Sequence, residues 1–216
     1  LLGFATTGTS QRGVVPTFAR EPRYSTNPIA FAAPAQNNPA FSLDMATSTV
    51  AVGKINIARR AGKPLPDGWA VNEAGAPEND ADAAFNSKPK RMTPLGGTRE
   101  LGSHKGYGLA IMVEILSSTL NGSFVGGHNP YGWEPGKYLN VGHFLLAIDP
   151  DRFSIPGTFG GRVDQLVDML HDTPSRDPAQ PVMVAGDPEH AERILRAEEG
   201  IPMVPKLFDE LRDVAQ

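Results

Sequence analysis

Apolar and polar positions along this chain switch repeatedly between a period of two and a period of about 3.6. Residues 1–7 (LLGFATT) read as a buried strand, closed by the polar turn Gly8-Thr9-Ser10. Residues Thr26 to Pro34 read as a turn followed by a second short apolar strand, closed by Pro34. A third, beginning at Phe41, runs into a helix with the inner stripe Val50, Ala51, Ile55 and Ala58 and the stop Gly62; Asp44, Thr47 or Ser48 is its expected N-cap. The longest helical pattern follows Gly102. Ser103 is the expected cap, Leu109, Met112, Val113, Leu116 and Leu120 form one apolar stripe, and Gly122 is the stop. His143 to Asp149 is the next strand, and Phe159, Val163, Leu166 and Leu170 mark an amphipathic helix. Pro181 to Ala185 reads as a further strand, leading to a helix with Asp187 as N-cap and Pro188 at its first position. A last short helix carries Leu207, Leu211 and Val214. Residues 11–25, 62–93 and 122–142 read as irregular, with one short helix near Asp80–Phe85 and Trp69 as an anchor.

Strands alternating with helices place the chain in the α/β class. No G-x-G-x-x-G follows a strand, so the common dinucleotide fingerprint is absent. The most suggestive stretch is Pro94 to Gly122. Gly96, Gly97, Gly102, Gly106 and Gly108 leave backbone without Cβ atoms, where a flat or charged ligand could approach. Lys105 falls in the first turn of the following helix, where the helix dipole disfavours a cation and an anionic partner would offset it. The plain alternative is a loop with a solvated lysine. Asp44, at a strand-to-helix turn, is open to two readings: a cap, or a carboxylate accepting hydrogen bonds from a ribose. His128, Tyr131, Trp133 and Tyr138 suit a binding cleft, an oligomer interface or a loop pinned by aromatics.

Composition narrows the partners. A formal net charge of -4 over 216 residues argues against nucleic acid or an anionic membrane surface. There is no cysteine, which excludes disulfides, thiol chemistry and zinc–thiolate sites and fits a reducing cytoplasmic location. No apolar run is long enough to span a bilayer. The five histidines, among them His104 beside the glycine-rich loop, show no metal-ligand spacing.

The segments TNPIAFAAP, FSLDMATSTVAVGKI, LPDGWAV, PLGGTRELGSHKGYGLAIMVEIL, NVGHFLLAIDP and the terminal AGDPEHAER with EEGIP together resemble the malate/L-lactate dehydrogenase family, which also holds ureidoglycolate, sulfolactate and Δ1-piperideine-2-carboxylate members. The resemblance implies a three-layer, non-Rossmann α/β nucleotide-binding fold with a large, mixed, mostly antiparallel sheet flanked by helices. It implies an NAD(P)-dependent oxidoreductase moving a hydride between nicotinamide and a small 2-hydroxy or 2-oxo acid, or a related imino acid, and working as a homodimer. The expected division is residues 1–180 as the NAD(P)-binding domain and 181–216 as a strand and helices completing the cofactor site.

Position by position, the resemblance puts Ser10 against the nicotinamide nucleotide and Thr26 against the substrate. It puts Asp44, Met45 and Ala46, then Leu95, Gly96 and Gly97 with Lys105, and finally Gly186, Asp187, Pro188 and Glu189 against the dinucleotide. The family usually has Pro-Gly-Glu where this chain has Ala185-Gly186-Asp187. Lys54 stands where some imino-acid reductases have Asp, which is more like the malate and ureidoglycolate branches. The family's catalytic histidine, with its serine and arginine, is expected upstream of Leu1, so these residues by themselves are expected to be inactive. The competing expectation is a non-catalytic nucleotide- or metabolite-binding module.

Overall fold

In a computed structural model, residues 1–128, 140–203 and 205–215 are described. The chain forms two compact units, one of Leu1–Ala32 with Leu43–Asp149 and one of Ala33–Ser42 with Pro150–Gln216. Tyr131, Trp133 and Tyr138 lie outside the described residues.

The first unit is built on a four-stranded sheet in the order β3-β2-β1-β4, from β1 (Leu2–Thr9), β2 (Ile29–Ala33), β3 (Phe41–Met45) and β4 (Val141–Ile148). β1 runs antiparallel to β2, with Thr6 opposite Ile29, and antiparallel to β4, with Thr9 opposite Val141. Three helices belong to this unit: α1 (Val52–Arg60), α2 (Ala81–Asn86) and α3 (Ser103–Glu114), the last continuing as a π-helical turn over Ile115–Thr119. Their core gathers Val14, Tyr24, Ile55, Leu65, Met92 and Ala110, with Trp69 packed against it as the sequence suggests. Burial pushes the Tyr24 phenol well above its usual range, and the stacked Tyr107 ring 5.9 Å away adds to the shift.

α3 turns a different face inward from the one its apolar stripe suggests. Its buried residues are Ser103, Gly106, Ala110, Val113 and Glu114, while Leu109, Met112 and Leu120 are exposed. The reason is close approach. A Cβ on Gly106 would lie 2.3 Å from the Leu95 carbonyl oxygen, and one on Gly8 2.5 Å from Ser118 Oγ. Only small side chains fit a helix set this near to the chain around it. The π-helical turn, which buries Ser117 and Ser118 side by side, brings Ser117 Oγ to 2.6 Å from Thr6 Oγ1 of β1.

The second unit holds α4 (Phe159–His171), α5 (Asp187–Glu199) and α6 (Pro205–Val214). Asp164 on α4 ties down residues 36–38: its carboxylate accepts the backbone N–H groups of Asn38 (3.0 Å), Asn37 (2.9 Å) and Gln36 (3.2 Å). These bonds hold its carboxyl below the usual range, the Asn38 N–H contributing most. The stretch 181–185 is not a strand; among the described residues its backbone bonds are Ser42 N–H to the Ala185 carbonyl at 3.0 Å and the local Asp187 N–H to the Val184 carbonyl at 3.2 Å, where a ladder needs several to a neighbouring strand. On α6, Leu211 and Val214 are exposed, and the Leu207 side chain lies outside the described residues. Among the described residues no helix is long and apolar enough to cross a membrane.

Candidate functional site

Three predicted segments of the first unit are stitched together by one residue, Thr47, just beyond β3. Its N–H donates to the Thr26 carbonyl at 2.9 Å, and its hydroxyl lies 3.0 Å from the carbonyls of both Thr26 and Asn27. Its own carbonyl accepts the Leu95 N–H at 2.9 Å. Thr49 continues the seam, its hydroxyl donating to the Pro94 carbonyl at 2.6 Å. Thr26, the Asp44–Ala46 strand end and the Leu95–Gly97 loop are therefore neighbours. Thr47 and Ser48 do not cap α1: Ser48 Oγ donates to the Val50 carbonyl, Asp44 makes no cap bond, and the cap position falls on Ala51 with no side-chain bond.

The glycines of this region admit chain rather than leaving backbone bare. A Cβ on Gly96 would meet Gly102 and Ser103 backbone at 2.7 Å, and one on Gly97 would meet the Gly68 carbonyl at 2.9 Å. Both have positive φ, 101° and 68°. The loop thus stacks directly on the start of α3. Gly108 differs, having nothing within 4 Å of where its Cβ would be. The cap of α3 is Gly102, in the left-handed region at φ 94°, and Ser103 instead places its Oγ 3.2 Å from Thr17 Oγ1.

The electrostatics of that helix start are one-sided. Its first turn holds no acid. Lys105 is exposed there and, among the described residues, has no ion-pair partner. Arg99 Nη1 donates to His104 Nδ1 at 3.0 Å beside it. Asp44 is exposed, and Met45, Ala46 and Thr26 are half-buried. A cavity of about 370 Å³ opens alongside, lined by residues that include Thr17, Phe18, Val71, Gly97 and Arg99.

Ser10 lies at the end of β1, buried; its N–H donates to the Asn140 carbonyl at 2.9 Å and its Oγ accepts the Asn140 N–H at 3.2 Å. In the second unit, Gly186 has φ 106° and occupies the cap position of α5 that the sequence suggests for Asp187. The Asp187 carboxylate instead accepts the Val184 N–H at 2.7 Å and faces His171 Nε2 at 2.8 Å. Burial raises its pKa, but these two bonds outweigh that and leave it below the usual range. Pro188 and Glu189 are exposed. Among the described residues no three His, Cys, Asp or Glu side chains group as a metal site would require.

The sequence profile of the malate/L-lactate dehydrogenase family matches residues 1–212. The chain belongs to the malate/L-lactate dehydrogenase family. It is 38% identical to a malate dehydrogenase of Pyrococcus abyssi over 204 residues, which is 94% of this chain and 55% of that protein. It is 41% identical to a (2R)-3-sulfolactate dehydrogenase (NADP(+)) of Chromohalobacter salexigens over 142 residues, covering 65% of the chain and 40% of the relative. The crystal structure of malate dehydrogenase from Entamoeba histolytica superposes with a TM-score of 0.90 at 28% identity, over 99% of this chain and 60% of that one. The chain thus spans about half the length of the curated relatives it matches. The α/β fold with an antiparallel sheet agrees with the expectation from sequence.

Three buried polar residues stand at the joins of these segments: Thr47, Asn27 and Glu114. In the amino-acid sequence Thr47 reads only as a cap, Asn27 only as part of a turn, and Glu114 as neither. Glu114 had a signal: it is the one acid in the apolar run from Leu109 to Leu116. Asn27 had a weaker one, since Asn is among the few residues that tolerate positive φ, here 39°.

Proposed function

We propose that this chain carries the dinucleotide-binding part of an oxidoreductase that moves a hydride between NAD or NADP and a small 2-hydroxy or 2-oxo acid. The observation that supports it is the seam at Thr47, which gathers the Thr26 turn, the Asp44–Ala46 strand end and the Leu95–Gly97 loop beside Lys105, an exposed lysine at a helix start with no ion-pair partner among the described residues. That donor set suits a dinucleotide. Lys105 and the positive end of the α3 dipole match pyrophosphate charge, and the exposed Asp44 carboxylate matches ribose hydroxyls. Asn140 Oδ1, buried and without a partner beside Ser10, is an acceptor of the kind a carboxamide N–H would satisfy.

When bound, the nicotinamide supplies the hydride acceptor or donor, and the protein contributes binding and orientation. In this reading Ser10 borders the nicotinamide nucleotide and Thr26 the substrate. Met45, Ala46 and Leu95 to Gly97 give the cofactor its wall, and Gly186 to Glu189 are assigned to the dinucleotide on the family resemblance alone. No residue of this chain is assigned the proton transfer. A cytoplasmic homodimer is part of the proposal, as is a substrate among malate, lactate and sulfolactate.

The test uses the full-length encoded protein. NADH and NADPH are titrated against intrinsic tryptophan fluorescence and thermal stability. The protein is then assayed with malate, lactate and sulfolactate, and with their 2-oxo acids. Saturable quenching with a matching thermal shift, and turnover of one acid, is the expected result. A protein that binds neither dinucleotide would end the proposal, whereas binding without turnover would leave the non-catalytic module.

A further inference from the structure

Glu114 is 6% exposed in the middle of an apolar helix face, and both of its carboxylate oxygens are used. Oε2 accepts Asn27 Nδ2 at 2.9 Å, and Oε1 accepts the Gly126 N–H at 2.9 Å. Asn27 is itself fully buried and sits in the left-handed region at φ 39°. Its Nδ2 also donates to the Ala110 carbonyl at 3.0 Å, one turn before Glu114, and its carbonyl receives the Thr47 hydroxyl. Two N–H donors from separate loops therefore meet opposite oxygens of one acid. Only a carboxylate accepts both; a carboxamide of the same length offers a single acceptor and presents an NH2 group to the other donor. An aspartate would be one methylene too short to span them.

α3 thus carries Lys105 near its start and, beyond Ala110, an acid that grips the turn holding Thr26. We propose that Glu114 is a positioning residue: through Asn27 it fixes the Thr26-Asn27-Pro28 turn against Thr47, and so sets Thr26 relative to the Leu95–Gly97 loop that Thr47 also holds. This rests on the function proposed above, in which Thr26 faces substrate. The carboxylate touches neither substrate nor cofactor. Its effect belongs in turnover of bound substrate, not in dinucleotide affinity, because the unit's cation and strand-end acid do not depend on it.

The experiment compares the full-length protein with Glu114→Gln, Asn27→Gly and the double variant. Glycine keeps the left-handed backbone at position 27 without the tether, so it separates the clamp from the conformation. Each single variant should lower kcat for the preferred acid about tenfold while the NADH or NADPH Kd stays within about twofold. The double variant should lose no more than either single one, as expected of two residues acting through one contact. Exchange of the Thr47 amide, which is bonded to the Thr26 carbonyl, should accelerate about tenfold in all three. Folded variants with the parent kcat, or losses that multiply, would overturn the proposal. Should Glu114→Gln not fold, Asn27→Gly carries the test alone. If the parent turns over none of the acids, the functional reading has failed separately. Thr47 exchange then decides the clamp: acceleration in the variants upholds it, and parent-like exchange removes it.

Discussion

α3 and α5 start alike and end up with opposite electrostatics. Each begins after a glycine in the left-handed region, Gly102 at φ 94° and Gly186 at φ 106°, and neither has a side-chain cap. The first turn of α5 carries two acids, Asp187 and Glu189, which complement the positive end of its dipole. Asp187 also accepts the Val184 N–H and faces His171, so that start is satisfied by its own chain. The first turn of α3 carries no acid and an exposed lysine. A left-handed glycine before a helix is therefore no ligand signal in itself; the charge set on it is. The family resemblance assigns both starts to the dinucleotide, and the physical case is stronger for α3.

The sharpest way to break the α3 side is Gly106→Ala. The new Cβ would lie 2.3 Å and 2.5 Å from the backbone O and N of Leu95, so loop and helix must separate. A cost of about 3 kcal/mol is expected, the upper part of the range for overpacking, read by denaturant unfolding. Dinucleotide binding should be lost with it, since the Leu95–Gly97 loop is displaced. A variant with parent stability would mean that the loop does not rest on α3.

The two helix starts respond differently to charge removal. Asp187→Asn weakens the acceptor for Val184 N–H and His171, and should lower stability by about 1.5 kcal/mol in thermal unfolding, as for a hydrogen bond to a charged group. Lys105→Ala should weaken NADH or NADPH binding about tenfold, roughly 1.4 kcal/mol. It should also leave stability equal or a few tenths of a kcal/mol higher, because a cation has left the positive end of a helix. A Lys105→Ala protein that binds as tightly as its parent would make the lysine a solvated bystander.

Much of this contrast is legible in the amino-acid sequence, and the parts that are not share a common cause. The first four strands, the short helix near Asp80–Phe85 and the Gly122 stop follow from local chemistry. Local reasoning fails where a polar side chain is claimed by something other than its own helix. Ser103, Thr47 and Asp187 are all good capping residues, yet they bond to Thr17, to Thr26 and Asn27, and to Val184 and His171. The apolar stripe of α3 misleads for a related reason: hydropathy counts which side chains avoid water, not how near the backbones come. Gly106 and Gly8 carry that second message, since each marks a close approach that larger neighbours would forbid. The Val182-Met183-Val184 run has strand propensity but lacks a partner ladder, and propensity without pairing does not make a strand.

Acid titration sharpens the comparison from the α5 side. Asp164 and Asp187, both in the second unit, have carboxyls held below the usual range. A carboxyl whose folded pKa is depressed stabilises the fold above its unfolded value, near 3.9, and loses that contribution as pH falls through the folded value. Stability from these two groups should therefore hold from neutral pH to about pH 4 and decline below it. Thermal unfolding at stepped pH reads this, and Asp164→Asn should flatten the acid limb. A limb of unchanged steepness in that variant would show that the bonds from residues 36–38 are not what depresses the group.

The smallest expected effect isolates the glycines of α3 from one another. Gly108 is two residues beyond Gly106 on the same helix, but nothing lies within 4 Å of its Cβ position, and its φ is not positive. Glycine inside a helix costs about 1 kcal/mol relative to alanine through backbone entropy alone. Gly108→Ala should accordingly stabilise the full-length protein by up to about 1 kcal/mol, where Gly106→Ala destabilises it. If the gain appears and dinucleotide binding is unchanged, the open space at Gly108 faces solvent. If stability rises but binding falls, that space belongs to the ligand, and Gly108 rather than Gly96 or Gly97 is where bare backbone serves recognition. The sign of the binding change thus separates the two uses of glycine that the sequence presents as one motif.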